Sequence, residues 1–392
     1  MDIELDALSS YMGSVLAHML LEQYDDAIND LNELIRLDPN NAAAYAIRGD
    51  VYLKKGQFDD AINDFTEAIR LDPNYVDAYI RRGNANMVKF QLDEAISDLN
   101  EAIRLDPNNA AAYKSRGGAY GVNDQFDEAI SDLSEAIRLD PKDASAYKSR
   151  GLAYEVKGQY DDMINDFTEL IRLEPNDFSA YKERGDAYFQ KGQYDEAIND
   201  FTELIRLDPD NGYAYRERGA ACFQKGQYDE AIDNFHEAIK LDPNDALAYS
   251  FRGSAYWKKG QYDEAISDDT EFIRLGQGDV FTYKRLGIAY WQKGQYDEAI
   301  DNFTEAISLD PNNASLYSWR GDVYYKKGQY DTAINDLNEA VRLDPNDAEA
   351  YGTLGQVYKQ LGQKNQAIQD FEKALSLDAN LDWARQELEE IR

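Results

Sequence analysis

In residues 178–211, FSAYKERGDAYFQKGQYDEAINDFTELIRLDPDN, apolar side chains return every three or four positions. Spacings of four and three place Tyr181, Gly185 and Tyr188 on one helical face. Ala197, Phe201 and Leu204 repeat the arrangement on a second helix. QKGQYD divides the two, with Gly192 suited to a turn and Asp195-Glu196 suited to the positive N-terminal end of the second helix. LDPDN closes the unit, because Pro cannot continue a helix and Asp or Asn can cap the next one. The pattern predicts a helix pair.

The pair then recurs along the chain. The nine prolines stand at 39, 73, 107, 141, 175, 209, 243, 311 and 345, in steps of 34 residues with one step of 68. Gln277 occupies the missing place, and Ala379 stands one step past Pro345. Tyr181, Arg184, Gly185, Tyr188, Ala197, Phe201 and Pro209 resemble the signature of the tetratricopeptide repeat family. Good registers start at 42, 76, 110, 144, 178, 212, 246, 280, 314 and 348. The first unit, from about residue 8, keeps its second helix but has a poor first one. The expected organisation is an N-terminal segment and degenerate repeat over 1–41, ten repeats over 42–381, and a polar capping helix over 382–392. The resemblance implies an all-α fold, a right-handed α-α superhelix. First helices would line its concave groove and second helices its convex face.

Numbering each repeat from one to 34 exposes its framework. Gly at position eight, from Gly49 to Gly355, lets the two helices approach closely, offsetting a helix-propensity cost of about 1 kcal/mol. Position seven is Arg48, Arg82, Arg116, Arg150, Arg184, Arg218, Arg252 and Arg320; Leu286 and Leu354 replace it elsewhere. Position 23 carries Asp64, Asp98, Asp132, Asp166, Asp200, Asp268 and Asp336, with Asn234 beside Arg218 in the eighth case. A hydrogen-bonded Arg–Asp bridge within each repeat follows. The tripeptide Arg-Gly-Asp at 48–50, 184–186 and 320–322 is therefore framework in its first two residues, and not an adhesion signal. Its third position varies from repeat to repeat.

Under the resemblance, positions two, five, six, nine, twelve and thirteen face the groove, and these are where the sequence stops repeating itself. Position twelve carries Phe189, Phe223, Trp257, Trp291 and Tyr325, and neighbouring groove positions add Tyr213, Phe251, Phe281 and Trp319. Such a row is either a binding strip for an extended peptide or packing against the neighbouring repeat. Position five carries Lys114, Lys148, Lys182, Arg216 and Lys284. This basic line meets carboxylates of a partner or is neutralised by neighbours such as Asp186 and Glu217. Two family signatures are missing. The chaperone-tail clamp fails because Asn84, alone at position nine, is paired with Ile80 at position five. Position six carries no asparagine ladder.

Repeat eight, 246–279, departs from the rest. Asp269 replaces an aromatic or Leu, Phe272 replaces Ala, and LGQGD lacks Pro. Asp269 is expected to be solvated or paired, Phe272 to fill the vacated space, and 269–279 to alter the superhelical pitch or act as a hinge. Met163 and Cys222 read as core substitutions.

Charge narrows the partners. Lys and Arg number 41 against 75 Asp and Glu, a formal charge of −34. Nucleic acid and anionic membrane surfaces need a basic footprint that is absent. No apolar run is long enough to span a bilayer, and MDIELDALSS lacks the basic start of an export signal, so the expected location is cytoplasmic. His18 and His236 have no metal-ligand spacing, Cys222 is the lone cysteine, and no Gly-rich phosphate loop occurs, so neither enzyme, cofactor nor metal is expected. The reading is a non-enzymatic scaffold that binds a protein or peptide segment in its groove across repeats six to ten. The alternative is end-to-end self-association through the terminal repeats.

Overall fold

Where LDPNN or its equivalent ends one helix pair, the last Asp or Asn starts the next. Asn41, Asn109, Asp177, Asn211, Asp245 and Asp347 each accept a hydrogen bond from the backbone N–H three residues on. That bond satisfies one of the amides a helix start leaves open. Within the pair, the turn needs a left-handed residue. Gly56, Gly192 and Gly260 adopt φ near +72° there, while Glu22, Phe90 and Asp124 hold φ of 57–58° in the equivalent place. Phe90 is 77% exposed, so no packing offsets its backbone strain.

The computed structural model describes the backbone of residues 2–392 and the side chains of residues 11–392. Its first helices are α1 (Asp2–Leu20), α2 (Tyr24–Leu37), α3 (Ala42–Lys54), α4 (Phe58–Leu71), α5 (Val76–Val88) and α6 (Leu92–Leu105). Next come α7 (Ala110–Val122), α8 (Phe126–Leu139), α9 (Ala144–Val156), α10 (Tyr160–Leu173), α11 (Phe178–Gln190) and α12 (Tyr194–Leu207). They are followed by α13 (Gly212–Gln224), α14 (Tyr228–Leu241), α15 (Ala246–Lys258), α16 (Tyr262–Arg274), α17 (Val280–Gln292) and α18 (Tyr296–Leu309). The last are α19 (Ala314–Lys326), α20 (Tyr330–Leu343), α21 (Ala348–Gln360), α22 (Lys364–Leu377) and α23 (Asp382–Ile391). The described residues contain no strand, so the fold is all-α. Two compact units result, Met1–Asp200 and Phe201–Arg392. Each is a solenoid of helix pairs, in which a helix packs on its partner and on the pair that follows.

Small residues bring the helices together and large ones fill the gap. Ala146, Ala180 and Ala187 are buried in one cluster with Phe167 and Leu170. A Cβ on Gly49 would lie 2.7 Å from the Phe65 ring, and one on Gly287 2.8 Å from Phe303, so position eight has no room for a side chain. In α23, Ala384 and Leu388 are buried against Phe371 and Ala374.

The Arg–Asp inference holds in every repeat that carries both residues. Arg184 Nε and Nη2 donate to the two Asp200 oxygens at 2.9 and 2.7 Å, and Arg150 to Asp166 at 2.8 and 2.6 Å. Arg218, opposite Asn234, keeps one such bond at 2.7 Å. A third nitrogen, which the sequence did not point to, reaches the preceding repeat. Arg184 Nη1 donates to Thr168 at 2.9 Å and Arg320 Nη1 to Thr304 at 2.9 Å. The Tyr181 and Tyr188 rings lie 5.8 and 5.9 Å from the Arg184 guanidinium carbon. Each Arg thus ties three helices, and its planar fork suits the task better than a Lys would.

The acidic starts of second helices have a further role. Lys55 pairs with Asp25 at 2.5 Å, and Lys89–Asp59, Lys157–Asp127, Lys191–Asp161 and Lys259–Asp229 repeat that bridge between neighbouring repeats. Favourable charge at a helix start and an inter-repeat contact share one residue.

Repeat eight is rebuilt and not left open. Asp269 and Arg285, 1% and 5% exposed at their side chains, form a buried ion pair across the repeat border. Phe272, three residues after Asp269 in α16, is buried. Helix α16 stops at Arg274, Gly276 turns the chain at φ +81°, and Asp279 caps α17 from an extended conformation. Cys222 and Met163 sit in the core, and burial pushes the Cys222 thiol up, away from the reactive thiolate.

Candidate partner-binding face

First helices carry all of the candidate side chains. In the unit of residues 1–200, Lys148 donates to Ser179 Oγ at 2.5 Å with Asp177 at 3.7 Å. Lys182 lies 3.1 Å from both Glu183 and Asp186. Lys114 pairs with Asp143 at 2.6 Å. Phe189 packs edge-on against Tyr194 of its own repeat at 5.4 Å. The basic line in this unit is neutralised from within.

In the unit of residues 201–392, Arg216 is equally committed, to Asp245 at 2.7 Å and Glu217 at 3.0 Å, beneath the Tyr213 ring. Lys284 differs. Its partner is the Ser315 hydroxyl at 2.9 Å, and among the described residues it forms no ion pair. Lys284 lines a cavity of about 420 Å³ formed by Phe223, Phe251, Trp257, Phe281 and Ile288. Lys258, at the same cavity, rests 5.8 Å above the Trp257 ring.

The walls of this cavity are held by the core. Phe251 stacks on Phe235 at 5.8 Å with 16° between ring planes, and Phe223 leans on Tyr228 at 5.5 Å. Phe281 is 65% exposed, and the buried Trp257 Nε1 has no hydrogen-bond partner. A large exposed aromatic and an unmet donor are costly in a finished surface. The position-twelve row therefore divides. Phe189, Phe223 and Tyr325 pack on the Tyr five residues later in their own repeat, whereas Phe223 and Trp257 also line the cavity.

Farther along this unit, Trp291 and Trp319 meet edge to face at 5.4 Å, and Trp319 stacks on Phe303 at 6.4 Å. A second cavity, about 460 Å³, opens beside them. Its carboxylates, Asp322, Asp347 and Glu349, were not among the sequence candidates. Asp322 could have been found from its groove position nine; the approach of Asp347 and Glu349 needed the fold. Sequence reading also passed over Val88, Val122 and Val156, all exposed at position thirteen and legible from the period. Among the described residues no three His, Cys, Asp or Glu side chains are grouped to hold a metal ion. Among the described residues no helix is long and apolar enough to cross a membrane.

Sequence comparison places this architecture. The family model described as TPR repeat matches residues 16–56, 49–87, 91–124, 123–158, 185–223, 219–260, 287–328 and 321–362. Models described as tetratricopeptide repeat match 348–381 and 167–199. No curated protein gives a significant match. Among solved structures, the C-terminal part of a TPR repeat-containing protein from Cytophaga hutchinsonii is 22% identical with a TM-score of 0.52, covering 61% of this chain and 98% of that one. YrrB, described as a TPR protein with an unusual peptide-binding site, is 22% identical at a TM-score of 0.44, covering 47% of this chain and 96% of its own. MamA is 33% identical at a TM-score of 0.39, with 41% of this chain and 94% of its own covered. The matched repeats span well over half of the sequence, and their helix pairs are those of the structure: the chain belongs to the tetratricopeptide repeat family.

Proposed function

We propose that the chain is a non-enzymatic scaffold whose first-helix face in residues 201–392 is a groove that holds a segment of a partner protein. One observation carries this reading: the apolar cavity of Phe223, Phe251, Trp257, Phe281 and Ile288, with Lys258 and Lys284 at it and no carboxylate in its lining. On a chain of charge −34, an acid-free apolar site is a local exception. A bulky apolar side chain would fill the cavity, and an adjacent carboxylate would meet the two ammonium groups. Unlike the other position-five cations, Lys284 has its charge available for that contact.

Selection of a random peptide library displayed on phage against the full chain tests this. The expected consensus is an aromatic or large aliphatic residue flanked by Asp or Glu. Trp257→Ala with Phe281→Ala should weaken the selected peptides at least tenfold, about 1.4 kcal/mol. Lys148→Glu with Lys182→Glu should leave them unchanged. Peptides without an apolar anchor, or affinity indifferent to the first pair of substitutions, would overturn the assignment.

End-to-end association is a second reading, motivated by Leu16, Leu20 and Leu21, which are 57%, 86% and 68% exposed near the start of the chain. Such a cluster at a solenoid end can stack on another copy. Sedimentation velocity over a hundredfold range of concentration should then show growing species that Leu20→Glu with Leu21→Glu abolishes. A constant monomer would remove this reading.

A further inference from the structure

The second cavity on the 201–392 face reverses the chemistry of the first. It is lined by two indoles, Trp291 and Trp319, and three carboxylates, Asp322, Asp347 and Glu349, with no Lys or Arg in its lining. Position nine supplies the comparison that gives these acids meaning. Asp50 is ion-paired to Arg81, and Asp186 lies 3.1 Å from Lys182. Asp322 occupies the same position in its repeat but forms no ion pair among the described residues. Ser318 and Thr353 occupy the places, position five of the same repeat and position six of the next, from which those cations come. Lys326, one turn along α19, has its ammonium 5.1 Å from the Tyr325 ring centroid.

A further contact holds one of these acids in place without neutralising it. Asp347 accepts the Ala350 N–H at 2.9 Å as the cap of α21. Burial pushes the Asp322 carboxyl up against the opposing charge of Lys326, which forms no ion pair with it. Partial desolvation of its solvent-accessible side chain, with the charges of Asp347, Asp378 and Asp322, does the same to Glu349. The three carboxylates are not grouped as a metal-ligand set. Indole faces beside carboxylates instead suit a flat organic cation, which stacks on one and hydrogen-bonds to the other.

We infer that this cavity receives an arginine side chain, its guanidinium against Trp291 and Trp319 and its N–H groups on Asp322 and Glu349. As a feature of the partner segment this rests on the reading above, and it adds a basic residue beside the apolar and acidic ones. The cavity itself binds the cation independently.

The test uses the full chain labelled with 5-fluorotryptophan, whose four fluorine resonances report Trp257, Trp291, Trp319 and Trp383 separately once assigned by single Trp→Phe variants. The probes are N-acetyl-arginine methylamide and its neutral isostere, N-acetyl-citrulline methylamide. The arginine compound should shift Trp291 and Trp319 saturably and leave Trp383 unmoved. The citrulline compound should require at least tenfold more. Glu349→Gln, at an exposed position that does not threaten folding, should weaken the response severalfold, and adding Asp322→Asn should bring the loss to tenfold or more. Equal response to the two compounds, or a response unchanged in the double variant, would overturn the inference. Trp257→Ala with Phe281→Ala should leave the arginine response intact. A chain that binds arginine amide but selects no peptides would thus refute the scaffold reading alone. Selected peptides that need Trp257, with Trp291 and Trp319 indifferent to arginine, would refute this inference alone.

Discussion

Arg285→Leu is expected to destabilise the unit of residues 201–392 by about 3–5 kcal/mol, the usual cost of leaving one member of a buried ion pair alone. Asp269 occupies a place where the other repeats carry Phe or Leu, and its side chain is 1% exposed. Arg285, from the following repeat, donates Nε to one of its oxygens at 2.8 Å and Nη2 to the other, while Nη1 reaches Ser254. Burial pushes the Asp269 carboxyl up and Arg285 is what pulls it back. The carboxyl already stands above its ordinary value with the guanidinium in place, and it rises further without it. The penalty is then present above that raised pKa and shrinks as acid protonates the group. Asp269→Leu with Arg285→Leu should restore stability to the wild-type level or above, because apolar groups replace both charges. All four Trp lie in residues 201–392, so urea unfolding followed by Trp fluorescence reads this unit selectively. A single variant as stable as the wild type would show that Asp269 is solvated.

The same pair marks where sequence reading ends. The Arg184–Asp200 bridge was legible because both residues recur in step with the period, so each repeat is a further instance of one geometry. Asp269–Arg285 occurs once and crosses a repeat border, so no column of the sequence announces it. Asp269 announced only a conflict, a carboxylate at a core position, and fixing its partner required the fold. The candidate face follows the same division. Period and position select Trp257, Phe281 and Lys284, but Lys148 and Lys284 look alike in sequence. Lys148 has Asp177 at 3.7 Å and Lys284 has only a hydroxyl, a distinction made by the next helix. Asp347 and Glu349 read as the start of a helix, and joining them to Trp319 is the work of packing between α19 and α21.

The Arg–Asp row itself makes the second large prediction, because the chain contains its own control. In the last repeat Leu354 replaces the Arg, yet Asp370 remains at the position of its partner. Burial alone pushes the Asp370 carboxyl up to about 6. An unfolded Asp titrates near 3.9, so ionised Asp370 opposes folding, and stability falls as pH rises through about 6. Discounted for partial exposure, that opposition is about 1–2 kcal/mol above pH 7. Asp370→Asn should recover it at pH 8 and give no gain at pH 4, again read by Trp fluorescence. Leu354→Arg should recover it too, by supplying the missing fork. Arg150→Leu imposes the same loss where burial is deeper, since Asp166 is 2% exposed and already pushed up by burial despite its partner. The expected cost to residues 1–200 is about 3 kcal/mol at pH 8, declining on acidification as Asp166 takes a proton. That unit has no Trp, so hydrogen exchange of α9 and α10 is the measurement. Adding Asp166→Asn should remove most of the pH dependence, because the unpaired charge, and not the lost bridge, sets the penalty. A cost that stays constant from pH 8 to pH 4 would mean instead that the Arg acts through its packing on Tyr147 and Tyr154, whose rings lie 6.0 and 5.8 Å from its guanidinium carbon.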